Sequence, residues 1–282
     1  MSGNSSNLLY VHEDNLITKI KTDYNHKKAE LEEFKSLFYE PFRRQIEQLP
    51  FDELHPGSFD TAAVMLNKYY SDLREFSQKN RISSQSKFGS TLFEELNTYL
   101  FKDLPLIKDG TFGIFNKGIF AGLKVISKKN STRIEQITKD VDFCIGRKAE
   151  VTVTGQKDPL TLILPVICVE CKTYLDSTMF GEIKSSSRDI RNANPNARTY
   201  VLMGYRDLKD EPLLAARQDS ALTEMFSLSD HYILNAKGKK VKQKEVNIVP
   251  AYLRSYWHEI STSLPEALTE HPSPEGGPLL LK

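Results

Sequence analysis

The spacing of apolar residues changes period along the chain. From 26 to 49, "HKKAELEEFKSLFYEPFRRQIEQL" sets Leu31, Phe34, Leu37 and Phe38 at helical intervals. Pro41 is expected to kink or end that helix. "SFDTAAVMLNKYYSDLREFSQK" (58–79) predicts a second helix with Ser58 or Asp60 as N-cap, and "SKFGSTLFEELNTYLFKDL" (86–104) a third. Near Asp109 the texture turns β-like. Short runs follow around 111–126, at "ITKDVDFCIG" (137–146), at "AEVTVT" (149–154) and at "LTLILPVICVECKTYLD" (160–176). A helix is predicted over 177–192, a buried strand over 198–205, a helix over about 212–226 and a strand at "HYILN" (231–235). A basic turn (236–244) and a last helix near 250–262 complete the pattern. The end, 263–282, is rich in Pro and Gly and is expected to be loose.

This order predicts an α/β (α+β) fold: a mixed central sheet flanked by helices, beside a helical N-terminal region. The divisions expected are 1–85 for that region, 86–262 for the core and 263–282 for a flexible tail. A chain of 282 residues accommodates one large domain or two small ones. Its net charge of +1 means that any surface for nucleic acid must be local. No apolar run approaches the ~20 residues of a membrane span, and the N-terminus lacks a basic stretch followed by an apolar one. No membrane partner and a cytoplasmic location are therefore expected. Three cysteines fit a reducing compartment. Cys168 and Cys171 form Cys-x-x-Cys, but positions i and i+3 of a strand face opposite ways and cannot grip one zinc ion.

The strand at 160–176 poses the chemical question. Its apolar run stops at Val169, and Glu170 and Lys172 follow on one face, two residues apart. Charges there are costly unless paired, wetted or bound to something. Glu-x-Lys also occurs at Glu33–Lys35 and Glu182–Lys184, but in predicted helices, where it is ordinary surface. "KDVDFCIG" places a second acid, Asp142, at the start of another strand. If the two strands pair as a hairpin, Asp142 and Glu170 approach within a few ångström. Two carboxylates so close repel unless a cation lies between them. Oxygen ligands with no His or Cys at hand suit Mg²⁺, with Mn²⁺ as a substitute.

An acid followed by Glu170-Cys171-Lys172 on a core strand resembles the signature of the PD-(D/E)xK nuclease superfamily. The order helix, three strands, helix, strand over 86–205 is similar to that family's αβββαβ core. Val141 stands where proline is usual, which leaves Asp140 as a competing acid. The resemblance implies a restriction-endonuclease-like fold and hydrolysis of DNA phosphodiester bonds. Asp142, Glu170 and the Cys171 carbonyl would hold metal, and Lys172 would act on the attacking water and the phosphate. It implies a further acid on the preceding helix, Glu94 or Glu95. Leu92, Phe93, Leu96, Tyr99 and Leu100 define that helix's apolar face, and Glu95, lying nearer to it, is preferred. Size and the helical N-terminal region resemble type II restriction endonuclease subunits of the BbvCI-like heterodimeric kind. That implies double-stranded DNA and a second nuclease subunit as partners. The alternatives are a repair, junction-resolving or transposon-end nuclease of the same superfamily, or a non-catalytic DNA-binding protein. For contact with DNA, the candidates are Arg188 and Arg191, then Lys237, Lys239, Lys240, Lys242 and Lys244 in the basic turn.

Overall fold

The structure is a computed structural model that describes residues 9–82, 87–128, 131–208 and 222–270. Helix α1 (Val11–Thr18) passes into a π turn at Lys19–Asp23. Helix α2 (Lys28–Phe34), a second π turn (Lys35–Tyr39) and α3 (Glu40–Ile46) then follow without a break. Pro41 neither ends nor interrupts this path. It lies in the first turn of α3, directly after the π turn, where the change of register makes its missing N–H tolerable. Helix α4 (Gly57–Lys79) starts at Pro56 with no side-chain cap, so Ser58 and Asp60 are first-turn residues and not caps. Helices α5 (Ser90–Phe101) and α6 (Pro105–Lys108) lead into the sheet.

Seven strands form one mixed sheet: β1 (Gly113–Phe115), β2 (Ile119–Lys128), β3 (Ser131–Lys139), β4 (Phe143–Val151), β5 (Leu160–Leu175), β6 (Arg198–Arg206) and β7 (Glu224–Ser227). Helix α7 (Ser177–Ala193) carries the chain from β5 to β6, which lie parallel. β8 (Tyr232–Leu234) and β9 (Lys240–Lys242) form a separate antiparallel ribbon, and α8 (Pro250–Glu270) closes the described chain.

Several expectations are corrected. The run 137–146 is two strands: Ile137–Lys139 ends β3, the chain bends at Asp140–Asp142, and β4 begins at Phe143. Of the run 149–154, residues 149–151 end β4 and 152–154 lie outside any strand. The run around 111–126 covers β1 and most of β2, but most of β3 went unread, because Ser131–Lys139 mixes polar and charged residues with few apolar ones and its Ile137 is exposed. Of the helix expected over 212–226, residues 212–221 lie outside the described residues, and Glu224–Ser227 is a strand parallel to β6. Residues 263–270 are helical and not part of a tail. Leu264 is buried and Glu266 pairs with Arg198 at 2.9 Å, which holds the helix across Pro265. Residues 271–282 lie outside the described residues. No helix among the described residues is long and apolar enough to cross a membrane.

One apolar cluster joins Leu16, Leu31 and Phe42 of the N-terminal helices to Val169 and Leu202 of the sheet and Tyr256 of α8. Each such side chain contributes about 1.5–3 kcal/mol on leaving water. α5 lies in the middle of this cluster, and every residue from Thr91 to Phe101 is buried. That placement decides which of its acids meets the sheet.

Candidate active site

β5 is 16 residues long and changes neighbours along its length. On one side it meets β2 at Ile163 and then β6 from Ile167 onwards. On the other it pairs antiparallel with β4, from Val151↔Leu160 to Phe143↔Val169. β4 begins at Phe143, so from Glu170 onwards β5 has lost that neighbour while β6 still supports it. Glu170 and Lys172 are therefore not at a strand end, as expected from the sequence. They lie within a strand, at the point where one edge opens.

Asp142, the residue before β4, fills the first part of the gap. Its Oδ2 accepts the backbone N–H of Cys171 at 2.8 Å, which the absent ladder would have left unpaired. The same oxygen accepts Lys172 Nζ at 3.1 Å, and Lys172 Nζ also reaches Glu170 Oε2 at 3.3 Å. One ammonium thus bridges two acids that would otherwise repel. Burial works against the charge on Lys172, but Asp142 and Glu170 beside it hold its pKa above the ordinary value. Glu170 is pushed up to about 7, first by burial and then by the charge of Asp142. The competing acid, Asp140, is exposed and accepts Gly118 N at 3.1 Å.

The two candidate acids of α5 part company. Glu94 lies in the field of Asp142, Lys172 and Glu170, and burial followed by Asp142 pushes its pKa up to about 7. Glu95, the residue preferred from the sequence, faces the N-terminal helices. Its carboxylate accepts the backbone N–H groups of His12 at 2.8 Å and Glu13 at 3.2 Å, and the hydroxyls of Tyr39 at 2.8 Å and Tyr99. His12 and Glu13 open α1, whose own N-cap, Tyr10, offers no side-chain bond. Glu95 thus caps a helix some eighty residues upstream. The preference failed because it assumed one buried face, whereas α5 is enclosed on all sides.

A buried chain of contacts also backs the site, and no sequence signal pointed to it. Tyr256 of α8 donates to Asn97 Oδ1, and Asn97 Nδ2 donates to Phe93 O at 2.7 Å and Cys171 Sγ at 3.3 Å. It ties α8 and α5 to the residue whose N–H Asp142 holds. Cys144 and Cys168 are buried opposite each other in the β4–β5 pair, and Cys171 is buried apart from them.

The candidate DNA contacts lie on two other elements. Arg188 is exposed and Arg191 half-buried on α7. Lys237, Lys239, Lys240 and Lys244 are exposed on the β8–β9 ribbon, with Lys242 half-buried and Lys240 Nζ 4.5 Å from the centre of the Tyr232 ring. At the base of the ribbon, Arg206 Nε donates to His231 Nδ1 at 3.3 Å, which ties it to the end of β6.

Asp142, Glu170 and Glu94 supply hard oxygen donors suited to a divalent cation. Among the described residues, no three acids already stand as a closed cage for one. Burial first and the neighbouring charge of Asp142 second raise the pKa values of Glu94 and Glu170, and the donor set fits such an ion.

A family model described as Bpu10I restriction endonuclease matches residues 85–224, a span that holds α5, β1–β6 and all four site residues. No curated protein matches the chain. Among solved structures, a chain of the native BbvCI A2B2 tetramer superposes with a TM-score of 0.71 at 14% identity, covering 94% of this chain and 99% of that one. The shared fold therefore takes in the N-terminal helices and α8 as well as the family span. The chain is thus type II restriction endonuclease-like over residues 85–224 and shares the restriction-endonuclease fold along nearly its whole length.

Proposed function

We propose that the chain is one catalytic subunit of a Mg²⁺-dependent type II restriction endonuclease, with Asp142, Glu170 and Lys172 carrying the hydrolysis and Glu94 assisting. The observation that carries this reading is the junction itself. Two carboxylates and a lysine meet within 3.3 Å at the one stretch of β5 that β4 leaves open. An open strand edge admits a phosphodiester, and a paired one does not.

Asp142, Glu170 and the Cys171 carbonyl would hold Mg²⁺, with Mn²⁺ as a substitute, and the bound ion would supply Lewis acidity at the phosphate. The remaining work falls to the chain. The Cys171 N–H fixes Asp142, so that this acid is oriented before DNA arrives. Lys172 keeps its proton and offsets charge that builds on the phosphate in the transition state. Glu94, buried in the field of Asp142, Glu170 and Lys172, supports these groups from α5. The surrounding apolar cluster lowers the local dielectric and strengthens each of these interactions.

The described residues hold one such set, and one set cuts one strand per visit. We infer that a double-strand break needs a second subunit, identical or related. The A2B2 assembly of the structurally similar BbvCI supports this reading. Incubation with plasmid and Mg²⁺, alone and with a related subunit, tests the proposal. Asp142→Ala and Glu170→Ala should lose cleavage by several orders of magnitude while keeping the wild-type circular dichroism spectrum. Glu33→Ala and Lys35→Ala should cut normally. Near-normal cutting by either site variant would refute the assignment.

A further inference from the structure

Helix α4 ends in an unusual way. Ile82 N donates to Ser77 O at 2.9 Å and Arg81 N to Gln78 O at 3.2 Å, the pair of bonds that defines a Schellman cap. The residue at its turn must be left-handed, and glycine normally fills it because it has no Cβ. Here it is Arg81, with φ 52°. Lys87, just before α5, has φ 55°. Among the described residues these two are the only non-glycine residues with positive φ; both are basic and both are exposed. A side chain kept where glycine would be less strained calls for a use.

An open cavity of about 310 Å³ lies against Arg81, with Tyr70, Arg74, Gly89, Thr173 and Tyr174 also in its wall. Thr173 and Tyr174 directly follow Lys172, on the stretch of β5 beyond the end of β4. The cavity therefore continues the open edge past the site. Gly89 lets the backbone approach, since a Cβ there would stand 3.2 Å from Thr173 Oγ1. Arg74 is engaged by Glu245 at 2.7 Å. The guanidinium of Arg81 has no acid partner among the described residues, and a hydroxyl donor, Thr173, shares its cavity. Lys87 stands near Glu94 and offsets part of the negative charge there. Cations thus lie beside both the site and its extension.

We propose that this cavity is a second phosphate-binding subsite, in which Arg81 holds a DNA phosphodiester neighbouring the one at Asp142, Glu170 and Lys172. It rests on the reading of the chain as a nuclease. A phosphate offers paired oxygens to the guanidinium fork and an acceptor to Thr173, and binding there would fix how far along the strand the scissile bond sits. Glycine at this turn separates the ligand role from the cap role, because it removes the side chain and relieves the backbone.

The test compares wild type, Arg81→Gly and Arg81→Lys by fluorescence anisotropy on a labelled mixed-sequence duplex, without added metal, over a range of salt. Arg81→Gly should melt at the same or a higher temperature than wild type. It should also bind more weakly, with a slope of log K against log salt smaller by about 0.9. Arg81→Lys should keep the wild-type slope. An unchanged slope and affinity in Arg81→Gly would overturn the subsite while leaving the nuclease reading intact. A wild-type protein with no salt-dependent binding to duplex would instead overturn that reading, and the subsite with it.

Discussion

Two adjacent glutamates on α5 have different fates, and substitution should separate them. Glu94 faces Asp142, so Glu94→Gln should fold normally and lose about 10–100-fold in cleavage, as expected for a group that supports the primary ligands. Glu95 belongs to the packing of α1 against α5, and its signature is in stability. Burial holds its pKa at about 7 in the folded chain, against an ordinary 4.5, although four donors pull it back down. The folded chain thus keeps a proton that the unfolded chain releases. The stability this adds is complete below pH 4.5 and is lost as pH rises through about 7. Relative to Glu95→Gln, wild type should gain as pH falls from 7 to 4.5, by up to about 3 kcal/mol on the conversion of 1.36 kcal/mol per unit. Urea unfolding of both proteins at several pH values measures this. A constant difference across that range would mean that Glu95 keeps its charge in the fold.

At the scale of elements, the site depends on where β4 stops. A β4 two residues longer at its N-terminus would bring Val141 opposite Cys171 and take the Cys171 N–H from Asp142. The bend at Asp140–Asp142, which falls inside the β-like run 137–146, is what opens the edge. The β8–β9 ribbon is a second such element. Among the described residues it pairs with no strand of the main sheet, and it presents exposed lysines. If it lies along a DNA backbone, Lys239→Ala with Lys240→Ala should cut the slope of log K against log salt by about 1.8, which is 0.9 per contact. Cleavage should weaken alike at all sites, because phosphate contacts carry no sequence information. An unchanged slope would remove the ribbon from the interface.

At the scale of the whole molecule, the single proposed catalytic set among the described residues makes strand number the informative measurement. If two different halves assemble, a complex carrying Lys172→Glu in this chain should nick one defined strand and keep its recognition site. The substitution removes the positive charge and adds a third acid beside Asp142 and Glu170. Linearised plasmid from that complex, or equal nicking of both strands, would exclude two different halves. The elements and the reactive residue types were legible in the sequence because both follow local rules. Helical spacing in α4, the apolar run of β5 and the pair Glu170 and Lys172 after Val169 depend on near neighbours in the chain. Fold class followed from their order. Other features depend on what lies opposite each residue, and a single sequence does not carry that. α5 is wrapped on all sides, so its periodicity could not tell the acid that caps α1 from the acid that meets Asp142. The strand of Glu170 runs on to Leu175 because β6 continues to pair with it, although β4 has ended. The cap at Arg81 reads as ordinary helix end until its cavity against Thr173 is seen. Chemistry was written in local residue identity, and its placement was decided by packing between segments far apart in the chain, where buried polar groups such as Glu95 and the Cys171 N–H found their partners.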